Sequence, residues 1–198
     1  IIQMILSLVV GVFTARYLGP SNYGLVNYGT TYVSFFMSFC TLGINSVIIK
    51  DFFDHPEEQG KAIGTTLVLR IISSFASALM IVGIVGVLDH NEPLTIAVVA
   101  LCSISLLFHV LDTFNYYFQS KYRSKITAIA TLIAYASTSV YKVILLITGA
   151  SVAWFAFASS VDYIVLGILL YIFYVTNKGP RLSFSWEKGK ALLKQSCH

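Results

Sequence analysis

Residues 62–88 read AIGTTLVLRIISSFASALMIVGIVGVL, 27 positions with a single charged side chain, Arg70. A bilayer core needs about 20 apolar residues per helix, so this stretch decides the fold class. Five more apolar stretches accompany it, at 1–18, 25–49, 94–118, 127–148 and 152–176. The composition agrees: 57% of residues are hydrophobic and 11% charged, with a mean hydropathy of +0.78. Soluble domains carry about a quarter charged residues. The expectation is an all-α polytopic transmembrane helix bundle of six spans, which excludes most soluble-enzyme functions.

The charges between the stretches orient the bundle. Lys50 and Lys61 lie in one gap, Lys121, Arg123 and Lys125 in another, and Lys178, Arg181, Lys188, Lys190 and Lys194 follow the last stretch. The alternate gaps, 19–24, 89–93 and 149–151, hold no Lys or Arg. Positive charge stays on the cytoplasmic side, so the basic segments and both termini are expected there. The net charge of +4 then reflects anchoring to anionic membrane lipids. Lys121-Tyr122-Arg123 reads as such an anchor, and no nucleic-acid partner is expected. Residues 1–176 are read as the six-helix membrane unit and 177–198 as a cytoplasmic segment. Within that segment Trp186, Leu192 and Leu193 against Lys188, Lys190 and Lys194 suggest an interfacial helix leading toward a seventh span. The chain opens at Ile1 inside an apolar run without a signal-peptide pattern, and is read as a fragment of a longer protein.

Polar residues at helical spacing mark faces turned to protein or water rather than lipid. One such line is Asn27, Thr31, Ser34, Ser38, Thr41 and Asn45; a second is Ser105, His109, Asp112, Tyr116 and Gln119. Thr127, Thr131, Tyr135, Thr138 and Lys142 form a third, and Gln3, Ser7 and Thr14 a shorter fourth. A hydroxyl stripe in one helix is commonly packing glue, but four in one unit point to a shared polar cavity.

Ionisable groups at membrane depth cost a few kcal/mol each and need compensation. At ~1.5 Å rise per residue, Asp162 lies about 16 Å from Ser151 and Lys142 about 10 Å from Gly149. The short turn at 149–151 makes their helices neighbours, so Lys142 and Asp162 either pair or serve an anionic substrate and a proton. Arg70 and Asp112 each lie about 13 Å from the basic end of their stretch. Arg70 either snorkels or lines a cavity, and His109 with Asp112 forms an i, i+3 pair suited to holding a proton. Arg16 sits at the outer end of its stretch, as an interfacial anchor would.

Catalytic signals are missing: no HExxH, phosphate-binding loop or nucleophile elbow is present. Gly60-Lys61-Ala62-Ile63-Gly64 fits G-x-x-x-G, a pattern too common to assign a role. Cys40, Cys102 and Cys197 show no disulfide or metal spacing. No enzyme activity, metal or cofactor is expected.

Several segments, in order, resemble one family. Ala15-Arg16-Tyr17-Leu18-Gly19-Pro20 with Tyr23-Gly24 is similar to the first outer turn of polysaccharide and lipid-linked oligosaccharide flippases. Leu42-Gly43-Ile44-Asn45, Ile63-Gly64-Thr65, Leu69-Arg70, Gln119-Ser120-Lys121 and the run from Trp186 to Leu193-Lys194 continue the resemblance. These proteins are O-antigen and capsule repeat-unit exporters of the multidrug/oligosaccharidyl-lipid/polysaccharide superfamily. The resemblance implies the first six-span lobe of a two-lobe transporter in a bacterial inner membrane, with the C-terminal lobe as partner. The implied function is movement of an undecaprenyl-pyrophosphate-linked oligosaccharide from the cytoplasmic to the outer leaflet by alternating access, with membrane lipids around it.

Chemistry supplies the candidate roles. Arg16, Arg70 and Lys142 are candidate cations for the pyrophosphate, and Asn27, Thr31, Ser34, Ser38 and Asn45 candidate partners for sugar hydroxyls. His109, Asp112 and Asp162 are candidates for ion coupling or pairing. Three rival readings stay open: a multidrug cation antiporter of the same superfamily, a membrane-embedded glycan transferase or polymerase, and an inactive remnant. The antiporter favours an acid-dominated cavity, and the transferase a large polar outer loop, where only Asp89-His90-Asn91-Glu92 offers itself.

Overall fold

Without water, a backbone running through lipid satisfies its polar groups in helices. The computed structural model describes residues 2–41, 44–121, 123–177 and 179–196; Ile1, Leu42-Gly43, Tyr122, Lys178 and Cys197-His198 lie outside them. The described residues form α1 (Ile2–Thr41), α2 (Ile44–Asp54), α3 (Gln59–Leu88), α4 (Pro93–His109), α5 (Thr113–Ser120), α6 (Ser124–Thr148), α7 (Val152–Thr176) and α8 (Trp186–Ser196). Single 3-10 turns, Pro56–Glu58 and Val110–Asp112, lead into α3 and join α4 to α5. Among the described residues, four helical stretches are long and apolar enough to cross a membrane: α3, α4 through α5, α6 and α7.

The turn expected at 19–24 contracts to one residue. Gly19 alone departs from helical geometry inside α1, at φ 72° and ψ 170°, a region essentially restricted to glycine. Pro20 then starts the second arm, where its missing N–H costs nothing. The Tyr17 hydroxyl donates to the Ala150 carbonyl at 3.4 Å, placing the break beside the α6–α7 turn. Within the apolar stretch 25–49 the helix is described to Thr41 in α1 and from Ile44 in α2, with Leu42-Gly43 outside the described residues.

The bundle is apolar outside and mixed inside. On α3, Ile71, Ile72, Phe75, Leu79 and Met80 are exposed, whereas Thr65, Thr66, Arg70, Ser74 and Ser77 are buried. Lipid tails are as apolar as Leu, so close packing through small residues, not apolarity, selects the interior face. α4 packs against α1, α3 and α7, and α6 against α1 and α7.

Buried apolar residues gather in two clusters. One joins Phe36, Ile81, Val98, Cys102, Leu145 and Phe155; the other joins Ile48, Phe52, Ile63, Phe114, Phe118 and Leu170. Along α3, α4–α5, α6 and α7, the interval between the clusters carries Arg70 and Ser74, His109 to Thr113, Thr138 and Lys142, and Ser159 to Tyr163. The polar groups therefore form a middle layer between two apolar ones.

At the basic end, residues 179–185 run without helix or strand and lead into α8. This strap lies on α3 where Gly60 and Gly64 leave room: a Cβ on either would collide with the carbonyl oxygen of Arg181 or Ser183. The Ser183 amide donates to the Gly60 carbonyl at 3.2 Å, and the Ser185 amide to Thr65 Oγ1 at 3.0 Å. The G-x-x-x-G pair thus seats a strap rather than another helix. On α8, Leu192 is buried and Trp186 exposed; the side chains of Leu193 and Lys194 lie outside those described. Lys188 turns inward, its Nζ 3.0 Å from Asp51 and 2.9 Å from Glu58, so α8 does not present its lysines as one solvent face.

Candidate functional site

Three of the four polar lines meet in one cavity of about 260 Å³. α1 contributes Ser34, α4 Ser105, α6 Tyr135, Thr138 and Lys142, and α7 Asp162. Tyr135 also lines an open groove with Gln3 and Ser7 of the first arm of α1, which brings in the fourth line. A larger depression, about 580 Å³, lies at the opposite end beside Tyr28, Asp89 and Glu92. It lies at the helix ends, away from the middle polar layer, so the smaller cavity is the stronger candidate.

Lys142 and Asp162 share the cavity and are both half-buried. They do not come within ion-pair distance of each other. The one Thr138 hydroxyl proton is instead shared between Asp162, at 3.2 Å, and the Ala134 carbonyl, at 3.0 Å. One cation and one carboxylate thus stand in a polar chamber without neutralising each other at contact distance. Both retain capacity for a further partner.

Asn27, Thr31, Ser34 and Ser38 lie along an exposed face of the second arm of α1. Thr31 donates to the Asn27 carbonyl at 2.7 Å and Ser34 to the Thr30 carbonyl at 2.8 Å. Such backbone bonds within the helix satisfy the hydroxyl protons and leave oxygen lone pairs outward. Thr30, one position from the predicted Thr31, lines the cavity, a difference a small helix rotation produces. Arg16 is exposed near the break at Gly19.

Arg70 and the half-buried Asn45 belong to a separate group. Arg70 is 1% exposed, so it neither snorkels nor lines the cavity. Its Nη1 donates to Thr113 at 3.2 Å, its Nη2 donates to Asn45, and its guanidinium lies 5.3 Å from the Tyr116 ring centroid. Nε has no partner. The residue ties α2 to α3 and α5. His109 and Asp112 flank this group without forming an ion pair with each other. Asp112 accepts from Asn115 at 3.1 Å. The His109 ring meets Tyr163 edge to face at 5.4 Å, and Tyr163 lines the cavity, so the two polar groups adjoin.

The model of the polysaccharide biosynthesis protein family matches residues 1–198. The chain belongs to this family. No curated protein and no solved structure matches it. Membership in the polysaccharide biosynthesis family, with the apolar helices, makes the chain a multi-pass membrane protein with a transport role in polysaccharide production. Other features of this family member carry little sequence signal. Cys102 lines the cavity and its thiol faces the Ala156 carbonyl at 3.8 Å; a lone cysteine inside an apolar run gives no hint of that. Ser159 and Tyr163 line the same wall of α7 as Asp162, at the i−3 and i+1 positions, which together extend the polar face.

Proposed function

We propose that this protein is a flippase carrying an undecaprenyl-pyrophosphate-linked oligosaccharide from the cytoplasmic to the outer leaflet of a bacterial inner membrane. The two arms of α1 count as the first two spans, giving six, with both ends of the unit cytoplasmic. This unit forms one lobe of an alternating-access transporter, its exposed Asn27–Ser38 face turned to a second lobe across the transport path. The observation that carries the reading is the convergence of three polar lines on Lys142 and Asp162, which are not in contact. A hydroxyl-lined chamber with an unneutralised ammonium suits a glycan on an anionic carrier. Asp162 supplies the carboxylate for coupling or for resetting the empty cavity. Arg70 reaches a ligand only in a conformation that withdraws Asn45.

The test is complementation of a strain lacking its repeat-unit exporter with the full native reading frame, scored by surface glycan at matched membrane expression. Lys142→Ala is expected to lower surface glycan at least about tenfold, the scale of one charge-assisted contact of ~1.5–3 kcal/mol. Asp162→Asn is expected to impair turnover while retaining substrate. Unchanged glycan in both variants sinks this assignment, and export of organic cations by the wild type supports the antiporter instead.

A further inference from the structure

The basic end of the bundle divides into two halves of different charge balance. On the α2–α3–α8 side carboxylates pair with two of the cations: Lys188 meets Asp51 and Glu58, and Lys61 lies 3.4 Å from Glu58. On the α5–α6–α7 side Lys121 and Arg123 have no such partner: among the described residues, no carboxylate stands within ion-pair distance of either.

These two cations converge on a cavity of about 340 Å³ whose wall is Tyr117, Phe118 and Asn177. Arg123 is held in place, its Nη1 donating to Asn177 Oδ1 at 2.6 Å. Asn177 is fixed in turn, its Nδ2 donating to the Phe173 carbonyl at 2.8 Å. Lys121 Nζ lies 5.9 Å from the Tyr117 ring centroid. Arg123 immediately precedes α6, whose first turn contains no acidic residue. The N-terminus of a 25-residue helix carries partial positive charge and favours anions. Two cations crowded there repel the dipole unless an anion joins them.

We propose that this cavity between α5, α6 and α7 is a binding site for a phosphate group, the headgroup of an anionic membrane lipid or a free phosphate. Lys121 and the first turn of α6 provide charge, Arg123 a fixed fork for two phosphate oxygens, and Tyr117 with Phe118 an apolar wall for the ester substituent. The site is separate from the Lys142–Asp162 cavity and does not depend on the transported substrate.

Native mass spectrometry of the full chain tests it, with phosphatidylglycerol, phosphatidylcholine and inorganic phosphate as probes. Wild type is expected to retain one phosphatidylglycerol in preference to phosphatidylcholine. Lys121→Gln with Arg123→Gln is expected to weaken that retention about thirtyfold, at about fivefold per basic residue, with an unchanged melting temperature. Asn177→Ala, which only frees Arg123, is expected to weaken it less, and Lys190→Gln not at all. Displacement of the lipid by millimolar inorganic phosphate supports a free-phosphate site of the same chemistry, and resistance to it supports the lipid. Equal retention by the folded double variant, or equal retention of phosphatidylcholine, overturns the proposal.

Discussion

Replacing Gly60 and Gly64 by alanine tests whether the strap is seated as described. In a helix whose surroundings are open, Gly→Ala stabilises by about 1 kcal/mol per site, or about 2 kcal/mol for the pair. Here each new methyl meets a backbone carbonyl, that of Arg181 or Ser183, and a backbone atom cannot swing aside as a side-chain tip can. The strap must lift. Lifting it breaks the Ser183–Gly60 bond and both bonds between Thr65 and Ser185, at about 1 kcal/mol each. It also exposes Leu192, buried at 1%, for about another 2 kcal/mol. The loss of about 5 kcal/mol exceeds the helical gain by about 3 kcal/mol. Gly83 and Gly86 on the same helix have nothing within 4 Å of an added Cβ and form the control pair. Thermal unfolding in detergent, with hydrogen exchange at the Ser183, Ser185 and Gly189 amides, reads both effects. The Gly60/Gly64 variant should lose stability and amide protection, while the Gly83/Gly86 variant should not. Equal stabilisation of both variants with protection intact refutes the seating.

Arg70→Ala should destabilise by about 2–5 kcal/mol, the range for emptying a large buried site. Arg70→Lys should recover little, since one ammonium does not reproduce the fork that reaches Thr113 and Asn45; full rescue in a melting experiment argues against that geometry. Gly19→Ala should cost about 1–3 kcal/mol through backbone strain alone, because no atom obstructs its Cβ, and a neutral result argues against the positive φ. The strap should also respond to pH. The hydrogen bond from Lys188, followed by that from Lys61, holds the Glu58 carboxyl below its ordinary 4.5. That contribution is present above pH 4.5 and is lost as pH falls through the depressed value. Burial lowers the Lys188 ammonium, but hydrogen bonds and charge from Glu58 and Asp51 outweigh it and raise it above 10.5. Its contribution is fully present below pH 10.5 and is lost as pH rises through the raised value. Proteolysis of the strap should therefore accelerate at both extremes, and Lys188→Met should abolish the difference from neutral pH; an unaltered profile in that variant refutes the ion-pair clamp.

The membrane character was legible because hydropathy is additive along the chain and needs no partner. The helix in 62–88 follows from its own residues, as do the polar lines through Ser34, Ser105 and Thr138. Pairing was less legible. Helical rise puts Lys142 and Asp162 about one turn apart in depth on adjacent helices, and they do share a cavity, but a few ångströms of side-chain placement separate a shared chamber from a salt bridge. Its position in an apolar run makes Arg70 a candidate for snorkelling or for lining a cavity, whereas Asn45 and Thr113 enclose it. Nothing in its own helix announces residues 25 and 43 positions away.

By itself, the sequence determined the all-α membrane class, the charge asymmetry between the two ends, the polar faces and the resemblance to polysaccharide exporters. These are properties of composition and local period, which each segment expresses whatever its neighbours are. Only the tertiary structure decided which faces meet: the break confined to Gly19, the strap on Gly60 and Gly64, the enclosed Arg70, and the chamber holding Lys142 and Asp162. The reason is physical. In lipid, helix contacts are selected by close fit and by satisfying buried polar groups rather than by apolarity, and both depend on atoms supplied by another segment.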